Sequence, residues 1–288
     1  MWFLLSLFFA FWSSIGVSIA KRVLKNTDVL VFIAFGNLLS AIAVGTFLFF
    51  RGIPQVDSVF WINIAIAAGL GILVNISYIS AIKIAPISLT MPMAAATPVV
   101  ATISGFLLRG ETTTVLKLLG VLTIVFGAYL LNISEIKNGI IEPLKALFKN
   151  RGVQLMLLAQ ALVGLTPVFE KNAIFHTTPR EPLMVSFASL LFLSGFFFPF
   201  MFARIKNPLA QFKRNFWWFV LPAPIGALAA WAVFTAYSLT NIGYVTAILK
   251  LSMLFTILWG ALFFKEERIK ERLLGASVMV LGTILLVI

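Results

Sequence analysis

Two charged side chains stand inside long apolar runs of this 288-residue sequence: Glu170 in PVFEKN and Lys250 in TAILKLSMLF. A charge held in hydrocarbon costs a few kcal/mol unless it snorkels or finds a partner. Lys250 therefore has two readings. It is a snorkelling lysine, or it anchors the carboxylate or phosphate of a bound solute. Glu170 is the only carboxylate clearly inside an apolar run. It reads as a boundary residue, a counter-ion for Lys250, or a group that couples proton movement.

Around these two stand polar side chains that hydrocarbon does not tolerate unpartnered. Trp12 lies about ten residues into its run, roughly 15 Å deep at the rise of an α-helix. Trp231 is similarly deep, with Tyr237 two turns beyond. An indole N–H away from water needs a partner, so both tryptophans face a cavity or packed protein. Asn75 and Gln160 are amides under the same constraint. Pro98 removes the N–H that would bond the carbonyl of Ala94, beside Thr97 and Thr102, and Pro167 does the same to Val163. Interrupted helices mark solute sites in transporters, although proline is also common in ordinary membrane helices. The candidate solute-binding set is Trp12, Asn75, Pro98, Trp231, Tyr237 and Lys250, with Glu170 close to Lys250, bordering a cavity between the halves of the chain.

Other chemistries are poorly supplied. There is no cysteine, so disulfides, thiolate metal sites and a cysteine nucleophile are excluded. One histidine, His176, and two aspartates, Asp28 and Asp57, are too few for a metal cluster or a Ser-His-Asp triad. No GxxxxGK[ST] loop occurs, so nothing supports ATP-driven pumping by this chain alone. No metal and no cofactor are expected, and no enzymatic activity.

The elements that must hold these residues are membrane helices. Hydrophobic residues make up 61% of the chain and charged residues 11%, less than half the charged share of a soluble domain. The net charge of +12 does not point to nucleic acid, because the basic residues sit in short loops, where they orient helices in a bilayer. About 20 apolar residues cross the hydrocarbon core. That rule gives ten spans: 2–20, 29–50, 60–81, 86–108, 114–131, 153–173, 182–203, 216–240, 244–264 and 272–288. The first lacks a basic leader and a small-residue cleavage site and reads as a retained helix. The longest polar connection, with Asn132, Glu135, Lys137, Asn138, Glu142 and Lys145, reads as a surface helix joining two halves.

The halves repeat. LLGVLTIVFGAYLL at 118–131 and LLGASVMVLGTILL at 273–286 agree at seven of fourteen positions, including Gly120 with Gly275 and Gly127 with Gly282. At the same offset of 155, Ala81 matches Ala236, Gly105 matches Gly260 and Glu111 matches Glu266; a looser match pairs Lys21 with Lys171. The glycines of each pair lie on one helix face and read as packing surfaces. Glu111 and Glu266 read as caps of the helices that follow them. Five spans per half is odd, so the second copy enters the membrane inverted. The expected fold is an all-α polytopic membrane protein of ten transmembrane helices, built as two inverted five-helix repeats. The domains are 1–131 and 152–288, joined by a linker at 132–151. Inverted repeats set a solute site between the halves and open it to either side in turn.

The doubled pattern of Ala, a small-residue span, Gly, Glu and a final Gly-x6-Gly helix resembles the EamA-type transporters of the drug/metabolite transporter superfamily, over the whole chain. The resemblance implies a ten-helix secondary carrier for a small metabolite or drug, with amino acids and organic anions among the candidate cargoes. Its partners would be a small-molecule substrate and the lipid bilayer, with proton or exchange coupling open and the oligomeric state unspecified. A lipid-moving or purely structural membrane protein is the alternative; it should show a lateral, lipid-open groove where a metabolite carrier has a closed central cavity. The loops after odd-numbered spans hold sixteen basic residues and the opposite face five, Arg51, Arg109, Lys117, Lys171 and Arg180. The positive-inside rule then puts both termini of this cell-membrane protein outside. Many relatives of this kind are thought to keep their termini inside, so rule and resemblance disagree, and the charge count is followed.

Overall fold

The computed structural model describes residues 1–85, 90–133, 145, 149–264 and 269–288. Pro86, Glu135, Lys137, Asn138, Glu142 and Glu266 lie outside them, and with them most of the expected surface helix and the second carboxylate cap. Among the described residues the chain is helical apart from one two-residue ladder. The helices are α1 (Trp2–Val23), α2 (Val29–Arg51), α3 (Ser58–Ile84), α4 (Ala96–Arg109), α5 (Val115–Ile133), α6 (Arg151–Phe175) and α7 (Pro182–Arg204). They continue with α8 (Pro208–Arg214), α9 (Phe216–Val220), α10 (Ala223–Leu239), α11 (Ile242–Leu249), α12 (Ser252–Phe264) and α13 (Ile269–Val287). Among the described residues, seven segments are long and apolar enough to cross a membrane, and three further apolar helices are shorter. The chain is a multi-pass membrane protein.

Three expected spans are not continuous. Span four is a 3-10 turn, Met91–Ala95, that passes into α4. Span eight is broken between α9 and α10, where Pro222 has no N–H to continue the ladder. Span nine breaks between α11 and α12, at Lys250 and Leu251.

The helix ends follow from their residues. Asp28 caps α2, its Oδ1 accepting from Leu30 N at 2.8 Å, and Glu181 caps α7 ahead of Pro182 at its first position. Gly110 stops α4 in the left-handed conformation (φ +65°), its N–H returning to Phe106 O at 3.0 Å.

The chain forms two compact units, and neither coincides with a sequence half. The first holds Met1 and residues 3–68 and 169–238; the second holds Trp2 and residues 69–168 and 239–288. In the first unit α2 runs antiparallel to α7. Ser194 Oγ donates to Ala34 O at 3.2 Å near one end, and Gly45 leaves room for the ring of Phe187 further along. Beside them Val44, Leu48, Phe60, Ile64, Ile174 and Val185 form a buried core. At one end of this unit β1 (Gln55–Val56) pairs antiparallel with β2 (Thr177–Thr178).

In the second unit α5 and α13 pack antiparallel through their glycines. A Cβ on Gly127 would stand 2.7 Å from Met279 N and 2.8 Å from Gly275 O. One on Gly282 would stand 2.7 Å from Ile124 N and 2.9 Å from Gly120 O. These are backbone atoms that cannot turn aside. Such close approach is what drives helix association where lipid is as apolar as the side chains.

Candidate functional site

The second unit gathers three polar side chains about the break in span nine. α11 ends at Leu249, and the next residues make tighter bonds than an α-helix does. Lys250 N donates to Ala247 O at 3.1 Å, Leu251 N to Ile248 O at 3.0 Å and Met253 N to Lys250 O at 3.0 Å. All three reach back three residues rather than four, which narrows the turn and re-aims the side chains on it. From this point Lys250 Nζ donates to Thr97 Oγ1 at 3.1 Å.

Thr97 sits at the other discontinuity, in the first turn of α4 just after the 3-10 turn. Pro98 falls in that first turn, where a missing N–H breaks no intrahelical bond. The carbonyl of Ala94 is not left bare, because Thr97 Oγ1 lies 3.2 Å from it. The same hydroxyl lies 2.8 Å from Gln160 Oε1, so its one proton has two acceptors while its lone pair takes the Lys250 bond. Thr97 and Gln160 are both buried.

Two glycines bring these helices together. A Cβ on Gly164 would come within 2.6 Å of Thr97 O, so α6 meets α4 backbone to backbone one turn beyond Gln160. A Cβ on Gly243 would meet Thr102 Cα at 2.9 Å, which seats α11 on α4 two turns before Lys250.

The sequence-selected residues divide between the units. Pro98, Lys250 and Asn75 belong to the second; Trp12, Glu170, Trp231 and Tyr237 belong to the first. Asn75 Nδ2 donates to Gly71 O of its own helix at 2.8 Å. The Trp12 indole nitrogen lies 3.6 Å from where a Gly226 Cβ would stand, so that glycine leaves it space. Trp231 packs at the edge of the first unit's core. It also lines a cavity of about 140 Å³ with Phe47, Arg51, Leu183, Ala227 and Leu228. Tyr237 is buried, stacks edge-on with Phe234 at 6.2 Å, and stands within electrostatic reach of Glu170.

Sequence reading missed a polar cluster at the end of the first unit, where the β1–β2 ladder lies. Arg51 Nε donates to Glu181 Oε2 at 2.8 Å. His176 Nδ1 lies 2.8 Å from Asp57 Oδ2, and Asn172 Nδ2 donates to Asn63 Oδ1 at 3.1 Å. The Phe60 amide, donating to Asp57 Oδ1 at 2.8 Å, and then the His176 ring hold the Asp57 carboxyl below the usual carboxylate range. No local signal pairs residues more than a hundred positions apart. Glu111 is a cap, but of α11 rather than of the helix that follows it: its Oε2 accepts from Ile242 N at 2.9 Å. No cluster of three or more metal-ligating side chains occurs among the described residues.

The sequence model of the EamA-like transporter family matches residues 1–133 and again 150–288. The chain belongs to the EamA-like transporter family. It is therefore a member of a family of membrane transporters for small molecules, matched once by each half. No curated protein matches it in sequence. Among solved structures, one titled only as the crystal structure of a protein shares the fold with a TM-score of 0.76 at 15% identity. The likeness covers 100% of this chain and 98% of that one.

Proposed function

We propose that this EamA-like protein is a secondary transporter. It moves a small organic solute across the membrane by alternating access, using ten spans arranged as two inverted repeats. Two sets of contacts support the inversion. Gly120 faces Gly282 and Gly127 faces Gly275; shifting each partner by the repeat offset of 155 exchanges one contact for the other. The helix breaks also correspond, since Lys250 minus 155 is position 95, where the 3-10 turn ends and α4 begins.

The observation that carries the site is the bond from Lys250, at one helix break, to Thr97, at the other. Broken helices expose half-helix N-termini whose positive ends favour anions, and here a lysine stands among them. In this reading Lys250 anchors a substrate carboxylate or phosphate, with Thr97 and Gln160 as positioning partners and Pro98 maintaining the break. Trp12, Asn75, Trp231 and Tyr237 complete the candidate substrate-binding residues. Glu170, in the first unit with Tyr237, is the proposed proton-coupling group. The reading assigns no catalytic step and no cofactor, and it orients both termini outside.

Proteoliposome uptake across amino acids, organic acids and sugars, with and without a pH gradient, tests the reading. Saturable uptake of at least one anionic solute is expected. Liposomes that take up none above empty controls, in either orientation of the gradient, refute it.

A further inference from the structure

A second cavity, of about 240 Å³, opens in the second unit away from Lys250. It lies where the end of α4, the connection 110–114, the start of α5 and the start of α11 meet. Its outer wall is apolar and turned outward: Ile103 is 52% exposed, Phe106 58% and Leu107 69%. On a membrane helix those faces meet hydrocarbon. Ile103 stands six residues before the end of α4, so the groove runs roughly 9 Å inward from the helix end.

The polar groups of this cavity are already engaged. Glu111 accepts from Ile242 N and faces Arg109 Nε at 3.8 Å. The Thr113 hydroxyl is hydrogen-bonded to that of Tyr244, and Asn241 Nδ2 donates to Thr112 O at 2.7 Å. A polar solute entering here would have to break these bonds, whereas an apolar chain would not. At the rim the Lys117 ammonium sits 5.5 Å over the Tyr244 ring, with Trp2 tilted against that ring at 6.3 Å. Tryptophan, tyrosine and lysine together at a helix end are the side chains that meet lipid headgroups.

We propose that this groove is a phospholipid-binding site, holding one acyl chain against Ile103, Phe106 and Leu107 with the phosphate at Lys117. The contact of Gly243 with Thr102 walls off its inner end, so a headgroup has no way through. The lipid is retained, not carried. The site stands independently of the transport reading, since it needs only that the protein lies in a bilayer.

The test is native mass spectrometry of the purified full-length protein with added phosphatidylglycerol, and with a diacylglycerol of the same chains. Wild type is expected to retain phosphatidylglycerol at one tight site. Ile103→Trp fills the groove and should lower retention about tenfold, as loss of roughly two buried methylenes would; Leu107→Trp is the second variant, and melts establish that both fold. Lys117→Gln should lower phosphatidylglycerol retention about fivefold and leave the diacylglycerol unchanged. Retention that depends on Lys117 but not on the groove variants means surface attraction only and overturns the proposal. Displacement of the lipid by a transported solute, or lipid scrambling in liposomes abolished by Ile103→Trp, would equally overturn it by making the groove a transport path.

Discussion

Replacing Lys250 by methionine separates anchoring from architecture. Methionine is unbranched and one atom shorter than lysine and carries no charge, so it fills most of the same volume at the break between α11 and α12. The folded protein loses one hydrogen bond with a charged donor, from Nζ to Thr97 Oγ1 at 3.1 Å, worth about 1.5–3 kcal/mol. Thr97 keeps Gln160 and Ala94 as neighbours at 2.8 Å and 3.2 Å, so no buried hydroxyl is orphaned. Removing an ammonium from an apolar span also relieves a burial cost of a few kcal/mol. The melting free energy should therefore fall by no more than about 1 kcal/mol, and a rise is allowed. Binding is a different matter. A hydrogen bond to a charged group contributes about 1.5–3 kcal/mol, so a carboxylate deprived of Lys250 should lose roughly 10- to 150-fold in affinity. A neutral analogue, such as the amide of the same solute, should lose little. The assay is concentration-dependent uptake of both solutes into proteoliposomes of wild type and Lys250→Met. Equal losses for acid and amide, or unchanged uptake of the acid, would refute the assignment of Lys250 as anchor.

Three further outcomes are expected. Gly127→Ala should destabilise by about 1–3 kcal/mol because its Cβ meets the Met279 and Gly275 backbones; Gly69→Ala, with nothing within 4 Å, should be near neutral, and equal melting temperatures would contradict the close α5–α13 packing. The Asp57 carboxyl is held below its usual range, so its charge stabilises the fold above the unfolded value of about 3.9 and that benefit is lost as pH falls through the lower folded value. The melting difference between wild type and Asp57→Asn should thus be present at about pH 5 and vanish as pH falls through the carboxylate range; a difference that persists at the acid end argues against the linkage. A C-terminal reporter active only in the cytoplasm should stay silent if the basic loops face inward, and a positive signal reverses the proposed orientation.

The multi-pass helical class was legible because it rests on composition, and the family because the motif occurs twice. Where helices break was half legible. Pro98 announced the interruption in span four, yet span nine carries no proline between Ile242 and Phe264; its break is held by three-residue hydrogen bonds and by the seat of Gly243 on Thr102. Tertiary packing decides such a feature, and no window of sequence contains both partners. Lys250 could be singled out by the cost of its charge, and Gln160 and Thr97 were noted as a buried amide and a residue beside Pro98. That the three meet depends on Gly164, whose missing Cβ is only visible as an opportunity once α4 lies against it. The Asp57–His176 and Arg51–Glu181 pairs were illegible for the same reason. Each joins a loop or helix end to another far along the chain.

The two compact units cut across the sequence halves, and this has a consequence for how the repeat would work. α2 and α7 occupy matching places in the two halves, and they pack against each other in the first unit. α5 and α13 match likewise and pack against each other in the second. Both pairs run antiparallel, as the proposed inverted repeat requires. A half of the sequence is then not a compact body by itself, because α2 and α5 of the first half pack on their counterparts in the second. Under the alternating-access reading the moving parts are the units, each carrying helices of both copies. On that reading, bending falls where the chain passes from one unit to the other inside a helix, near Ala68 in α3 and near Val168 in α6. Pro167 stands beside the second of these. Pro167→Ala restores an N–H to that turn and stiffens it, so it should slow uptake while leaving the affinity for the solute unchanged. A variant that transports at the wild-type rate would remove α6 from the list of hinges.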